Sequence, residues 1–94
     1  GACATEKKVY VGKGVKYFSK LGVAEFAIEA ADFKKGDKLL ITGPTTGVIY
    51  MNADEIRYDL EPVEEARKGQ RVSMPVPSKV RPSDKLFKLE RVEE

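Results

Sequence analysis

The side chains able to do chemistry in this sequence are four serines, one cysteine and a few clustered carboxylates, and there is no histidine to serve any of them. A serine nucleophile needs a base within hydrogen-bond reach. Ser19, Ser73, Ser78 and Ser83 have neither histidine nor a lysine at relay spacing. Cys3 lies in the small-residue stretch Gly1-Ala2-Cys3-Ala4-Thr5, which reads as a tail, and a lone cysteine forms no internal disulfide. Asp54, Glu55 and Asp59 lack the glycine and ligand alternation of a calcium loop and read as a solvated face. Glu61, Glu64 and Glu65 read as acids at the start of a short helix, favoured there by its dipole. Gly12-Lys13-Gly14 lacks the third glycine and the helix of a dinucleotide fingerprint. Gly43-Pro44-Thr45-Thr46-Gly47 lacks the Gly-Lys-Ser/Thr ending of a phosphate cradle, and Pro44 removes an amide donor, so a plain β-loop is expected. No catalytic residue, metal ligand or cofactor is assigned, and the chain is read as non-enzymatic.

What remains is binding chemistry. Between Lys8 and Lys20 one parity carries Val9, Val11, Val15 and Tyr17, and the other carries Lys8, Tyr10, Lys16, Phe18 and Lys20. Lysines beside exposed rings suit a single-stranded nucleic acid, because the cations neutralise phosphate and the rings stack on bases. The competing reading has the rings packed under loops and the lysines keeping a sheet edge soluble. A bulge at Gly12–Gly14 would reverse the parity and decides between them. The expected contact set is Lys8, Lys16, Tyr17, Phe18 and Lys20, with Tyr17 also fitting a core position. If the chain ends meet, Lys79, Arg81, Lys85 and Lys88 join the same side.

The elements that must position these residues are strands. Val9–Val11 and Val15–Phe18 read as one long strand bent at Gly12–Gly14, followed by strands at Val23–Ile28, Lys38–Thr42, Val48–Met51, Glu55–Tyr58, Val72–Val76 and Lys85–Leu89. Lys38-Leu39-Leu40-Ile41-Thr42 is apolar on both faces and should be central. Pro62 to Gly69 carries helix start and stop signals over one or two turns. Turns recur at Lys34–Asp37, Lys68–Gln70 and Pro82–Asp84, the third with Ser83 in place of glycine and therefore expected to be of another type. Six to seven short, mainly antiparallel strands point to an all-β fold, a small closed or nearly closed barrel. Its core should draw on Phe26, Ile28, Leu39, Ile41, Ile49, Val72, Met74 and Leu89. Residues 1–7 are expected to be a disordered or cloning-derived tail, 8–91 a single domain, and 92–94 a frayed end.

The chain has 94 residues, 41% hydrophobic and 34% charged, with net charge +2. Residues 1–20 hold five lysines against one glutamate, 21–65 four basic against ten acidic residues, and 66–94 eight basic against four acidic. Basic ends and an acidic middle predict one basic and one acidic face. No apolar run approaches the ~20 residues of a membrane span, and a monomeric protein of the reducing cytoplasm is expected.

The turn-and-strand segments carry a resemblance. Asp32-Phe33-Lys34-Lys35-Gly36-Asp37-Lys38-Leu39-Leu40-Ile41-Thr42-Gly43 resembles the segment of the second, β-barrel domain of elongation factor Tu in which a Gly-Asp turn launches a hydrophobic strand. Val63–Gly69 and Ser83–Leu86 occupy the places of its later turns. A closer likeness is to the C-terminal barrel of the collagenase-like U32 peptidase family, through Tyr17-Phe18-Ser19-Lys20-Leu21-Gly22-Val23-Ala24, Ile41–Val48, Pro62–Ala66 and Val80-Arg81-Pro82-Ser83-Asp84-Lys85-Leu86. In that family a separate, larger N-terminal domain is assigned the catalytic work, and some members are linked to RNA hydroxylation. The resemblance implies an accessory, substrate-binding barrel with RNA as its partner. The alternative it implies is a docking module, which would pack on the catalytic domain through an apolar patch near Gly43–Gly47 or Tyr58–Leu60.

Overall fold

The computed structural model describes residues 5–92, and these form ten strands: β1 Thr5–Phe18, β2 Val23–Ile28, β3 Phe33–Lys34, β4 Lys38–Gly43, β5 Gly47–Asn52, β6 Ile56–Tyr58, β7 Glu61–Val63, β8 Glu65–Ala66, β9 Arg71–Pro75 and β10 Lys85–Val92. Eight of them make one sheet in the order β5-β4-β10-β1-β2-β9-β6-β7, and β3 pairs with β8. Every pairing is antiparallel. The all-β expectation holds, with more and shorter strands than the six to seven anticipated. The ladder of the main sheet runs open from β5 to β7, without a pairing among the described residues that would close the expected barrel, and both of its halves contribute to one core, including Phe26, Ile28, Leu39, Ile41, Ile56 and Met74. No helix among the described residues is long and apolar enough to cross a membrane.

Three turns of one design launch β4, β9 and β10. In each, the carbonyl of the first residue accepts from the N–H of the fourth, and the fourth side chain accepts from the first N–H. Asp37 N–H donates to Lys34 O (3.0 Å) and Lys34 N–H to Asp37 Oδ2 (2.8 Å). Gln70 N–H donates to Arg67 O (3.0 Å) and Arg67 N–H to Gln70 Oε1 (3.0 Å). Asp84 N–H donates to Arg81 O (3.1 Å) and Arg81 N–H to Asp84 Oδ2 (2.9 Å). The third position is left-handed each time, with φ of 95° at Gly36, 94° at Gly69 and 74° at Ser83, as a type II turn requires. Ser83 therefore does not change the turn type. Pro82 presets the second position, and Ser83 N–H is fixed on Gly14 O at 2.9 Å.

The helix expected over Pro62–Gly69 is absent. Pro62 sits in β7 at the sheet edge, where its missing N–H costs nothing. Ala66 is buried opposite Phe33, and Lys35 N–H donates to Glu64 O at 2.8 Å. A one- or two-turn helix is costly to nucleate, and these tertiary pairings offer its backbone better partners.

β1 is ordered from Thr5, opposite Val92 of β10, three residues ahead of the expected boundary at residue 8. The tail expected before it falls, for residues 1–4, outside the described residues, as do residues 93–94 at the expected frayed end. The register of β1 shifts twice, between Tyr10 and Gly12 against β10 and between Gly14 and Lys16 against β2. Gly12 lies opposite Leu86 and Ile28, so its position faces the core, and a Cβ there would stand 1.8 Å from Ala27 O. The first shift turns the even positions inward and the second turns them out again. Tyr17 accordingly lies opposite Ala24 and packs against the core, while Lys8, Tyr10, Lys16 and Phe18 face outward.

One core expectation fails. Along β10 it is Leu86 that is buried in the core, opposite Ile41, which places Phe87 and Leu89 on the outer face with Leu89 half-buried. Lys88 shares the inward parity of Leu86. Its ammonium closes one end of the core by donating to Asp32 O at 2.8 Å and pairing with Glu90 at 3.2 Å, so it adds nothing to an outer basic face.

Candidate functional site

Because the core takes Leu86, Ile41 and Ile49, period-two alternation turns their neighbours outward. Tyr10, Phe87, Leu40 and Tyr50 stand directly opposite one another across β1, β10, β4 and β5 and form a row on the outer face. The Tyr10 and Phe87 rings meet edge to face, centroids 5.8 Å apart at 69°. Leu40 lies outside the core cluster yet is only 4% exposed, and Tyr50 is 71% exposed at the end of the row.

Lysines flank this row on both sides. Lys8 lies opposite Leu89 and holds its ammonium 5.6 Å from the Phe87 ring centroid. On the same side Lys38 lies opposite Asn52. On the other side Lys13 and Lys85 stand opposite each other, an arrangement of like charges that costs a sheet stability. Glu29 offsets part of it, 4.0 Å from Lys13 Nζ, and accepts a hydrogen bond from the Tyr10 hydroxyl at 2.9 Å. Burial, followed by Glu29 as acceptor and as charge, pushes the Tyr10 phenol above its ordinary value of 10.0.

The expected contact residues do not make one patch. Lys8 belongs to the row just described. Lys16 and Phe18 lie beyond the second bulge on the opposite half of the sheet, with the Lys16 ammonium 5.2 Å from the Phe18 centroid and Glu25 across the ladder. Tyr17 is taken by the core, and Lys20 is exposed in the β1–β2 turn. Lys79 and Arg81 are exposed on either side of Val80, whose buried side chain lies against Gly14. Arg81 O would stand 3.0 Å from a Cβ at Gly14, which brings the Arg81 backbone near Lys13. Sequence reasoning missed Phe87, Leu40 and Tyr50. Their signal was alternation in Leu86-Phe87 and Ile49-Tyr50, which acquires meaning only when the strand order is known.

A second surface follows Phe18. Phe18, Val23 and Pro75 form a cross-strand row on β1, β2 and β9. With Leu21, Leu60 and Met74 they line a shallow apolar hollow, rimmed by Glu25 and by Arg57, whose guanidinium lies 3.0 Å from Glu55. Leu21 is 72% and Leu60 92% exposed.

The Gly43–Gly47 loop serves the scaffold. Asp84, 3% exposed, accepts from the Thr46 hydroxyl as well as from Arg81 N–H, tying the β4–β5 loop to the start of β10. A Cβ on Gly43 would lie 2.0 Å from Asp84 Oδ1. Among the described residues no group of three or more His, Cys, Asp or Glu converges to hold a metal.

The fold is a small antiparallel β domain that carries a lysine-flanked aromatic row and, on the other half of its sheet, an apolar hollow. No protein-family model matches the chain. Over its full length it is 61% identical to a protein named collagenase from Porphyromonas gingivalis strain W83, of which it covers 23%. It is 33% identical over 89 residues to an uncharacterised protease of Methanocaldococcus jannaschii, covering 22% of that protein. The crystal structure of the C-terminal domain of a Geobacillus thermoleovorans protein assigned to the U32 peptidases superposes with a TM-score of 0.79 at 21% identity, over 85% of this chain and 91% of that one. The chain thus spans about a quarter of the length of the curated relatives it matches. It belongs with the C-terminal β domains of the collagenase-like U32 peptidase family.

Proposed function

We propose that the chain is a non-catalytic accessory domain that holds single-stranded RNA against the remainder of a U32-family enzyme. The observation that carries this reading is the outward row Tyr10–Phe87–Leu40–Tyr50 with lysines on both sides. Rings stacked on bases contribute ~1–3 kcal/mol each and tolerate any sequence, while the lysines track phosphates. The names of the relatives speak of peptide cleavage; the sequence holds no histidine to serve a serine or Cys3 as base, and the reading assigns that chemistry to the larger part of the protein.

The test is fluorescence anisotropy of a labelled oligouridylate titrated with the chain. Binding should be strong at low ionic strength and weaken as salt rises, with a slope near −0.7 per phosphate neutralised. Absence of binding at low salt refutes the reading. A second reading, in which the domain docks on the rest of its polypeptide, is favoured by the exposed leucines Leu21 and Leu60.

A further inference from the structure

The hairpin joining β6 to β7 turns through Asp59 and Leu60, with φ of 53° and 67°. Two successive left-handed residues are the signature of a type I′ hairpin, whose second position is ordinarily glycine. A leucine there strains its backbone. It also stands 92% exposed, so its side chain gains nothing from burial within the domain. Across the hollow, Leu21 is 72% exposed in the β1–β2 turn. Two leucines thus stand in solvent on the rim of one hollow floored by Phe18, Val23 and Pro75, and one of them does so at a backbone cost. Strained residues of this kind cluster at functional sites, ligand clamps among them.

We infer that the Leu21–Leu60 hollow is the seat on which the remainder of the parent polypeptide docks, through an apolar segment that inserts between the two leucines. This rests on the docking reading above and gives it a location. The occupant is covalently at hand, since the curated relatives are about four times the length of this chain. The rim suits an apolar anchor with polar flanks: Arg57 and Glu55 neutralise each other at 3.0 Å, and Glu25 stands across the ladder from Lys16. An apolar centre inside a polar rim is the usual anatomy of such contacts.

The test compares amide hydrogen exchange in the full-length parent protein and in the 94-residue chain. Amides of residues 18–23 and 57–61 should exchange at least about tenfold more slowly in the full-length protein. Leu21→Ser and Leu60→Gly should each return them to the rate of the isolated chain. In the isolated chain Leu60→Gly should raise Tm by a few degrees, because glycine relieves the left-handed strain. A substitution that steadies the domain while releasing its partner separates docking from mere packing. Protection confined to another surface, such as the Gly43–Gly47 loop, overturns this seat and leaves the docking reading standing. No protection on any surface overturns both, and a lowered Tm for Leu60→Gly overturns the strain argument.

Discussion

Lys8-Val9-Tyr10 and Lys16-Tyr17-Phe18 carry nearly the same pattern of lysine and aromatic residues along one strand, yet the two stretches serve different surfaces. Before the bulges, Lys8 and Tyr10 meet Phe87 of a neighbouring strand, and the row continues through Leu40 to Tyr50. After them, Lys16 folds over its own near neighbour Phe18, Glu25 stands across the ladder, and the row ends in Val23 and Pro75. The first surface is basic and aromatic, the second apolar with paired charges at its rim. What distinguishes them is the strand each half of β1 lies against. A surface in a β domain belongs to the sheet, and no single strand can disclose it.

The sharpest way to break this division is to remove the bend. Gly12→Ala places a Cβ 1.8 Å from Ala27 O, and both backbones are held in ladders that cannot yield. The expected loss exceeds about 4 kcal/mol in a denaturant titration, abolishing both faces together. Gly14→Ala meets Arg81 O at 3.0 Å and the Val80 side chain at 3.2 Å, so a smaller loss is expected. Equal stability of Gly12→Ala and the parent chain would show that β1 does not need its bend.

Asp84 tests whether the first face can be loosened alone. Its side chain joins Thr46 of the β4–β5 loop to Arg81 just ahead of β10. Asp84→Ala takes the acceptor from the part-buried Arg81 N–H and Thr46 hydroxyl, at a cost of about 1–2 kcal/mol. Asp37, in the same position of the first turn, is only partly buried, so Asp37→Ala should cost less. Amide exchange should rise in β4, β5 and β10 while the Leu21–Leu60 hollow keeps its rates.

Affinity for an oligouridylate then separates the surfaces directly. Phe87→Ala and Tyr50→Ala should each weaken binding by about 1–3 kcal/mol, whereas Phe18→Ala and Leu60→Gly should leave it unchanged. Lys85→Ala should reduce the salt slope by about 0.7 with little regard to base composition. If Phe18→Ala weakens binding as much as Phe87→Ala, the two faces do not divide the work.

Much of the scaffold was legible in the residues. Ala24, Phe26 and Ile28 alternate inward in β2, and Leu39-Leu40-Ile41 lies in a strand flanked on both sides though only one place from the sheet edge, because period and apolarity report burial directly. Gly12-Lys13-Gly14 announced a bend, and the outward parity of Lys8, Tyr10, Lys16 and Phe18 was recovered only because the second register shift undoes the first. Three features escaped. Pro62–Gly69 has every local mark of a helix, but Ala66 is claimed by Phe33. Ser83 takes the conformation glycine takes elsewhere, because Pro82, Asp84 and Gly14 O hold it there. The aromatic row needed Tyr10, Phe87, Leu40 and Tyr50 to be neighbours, and that follows from a strand order in which β10 lies between β4 and β1. Pairing between distant strands leaves no local trace.

The smallest effect probes the electrostatics of the first face. Tyr10 holds its proton more tightly when folded, first because burial disfavours the phenolate and then because Glu29 accepts its hydrogen bond and repels the negative form. In the unfolded chain the phenol titrates at its ordinary value of 10.0. The folded state thus binds more protons than the unfolded state above that pH, and stability must fall as pH rises. The contribution is fully present below pH 10 and is lost as pH rises through the elevated folded value. Tyr10→Phe removes the titrating group, so the difference in stability between the two proteins should be flat below pH 10 and shift in favour of the phenylalanine variant above it. At neutral pH the variant should lose only about 0.5 kcal/mol, since the hydrogen bond it forfeits is exposed. The same alkaline step in Phe18→Ala, with Tyr10 intact, would tie it to the first face and not to the strand as a whole. Persistence of the step in Tyr10→Phe would mean that a group other than Tyr10 produces it.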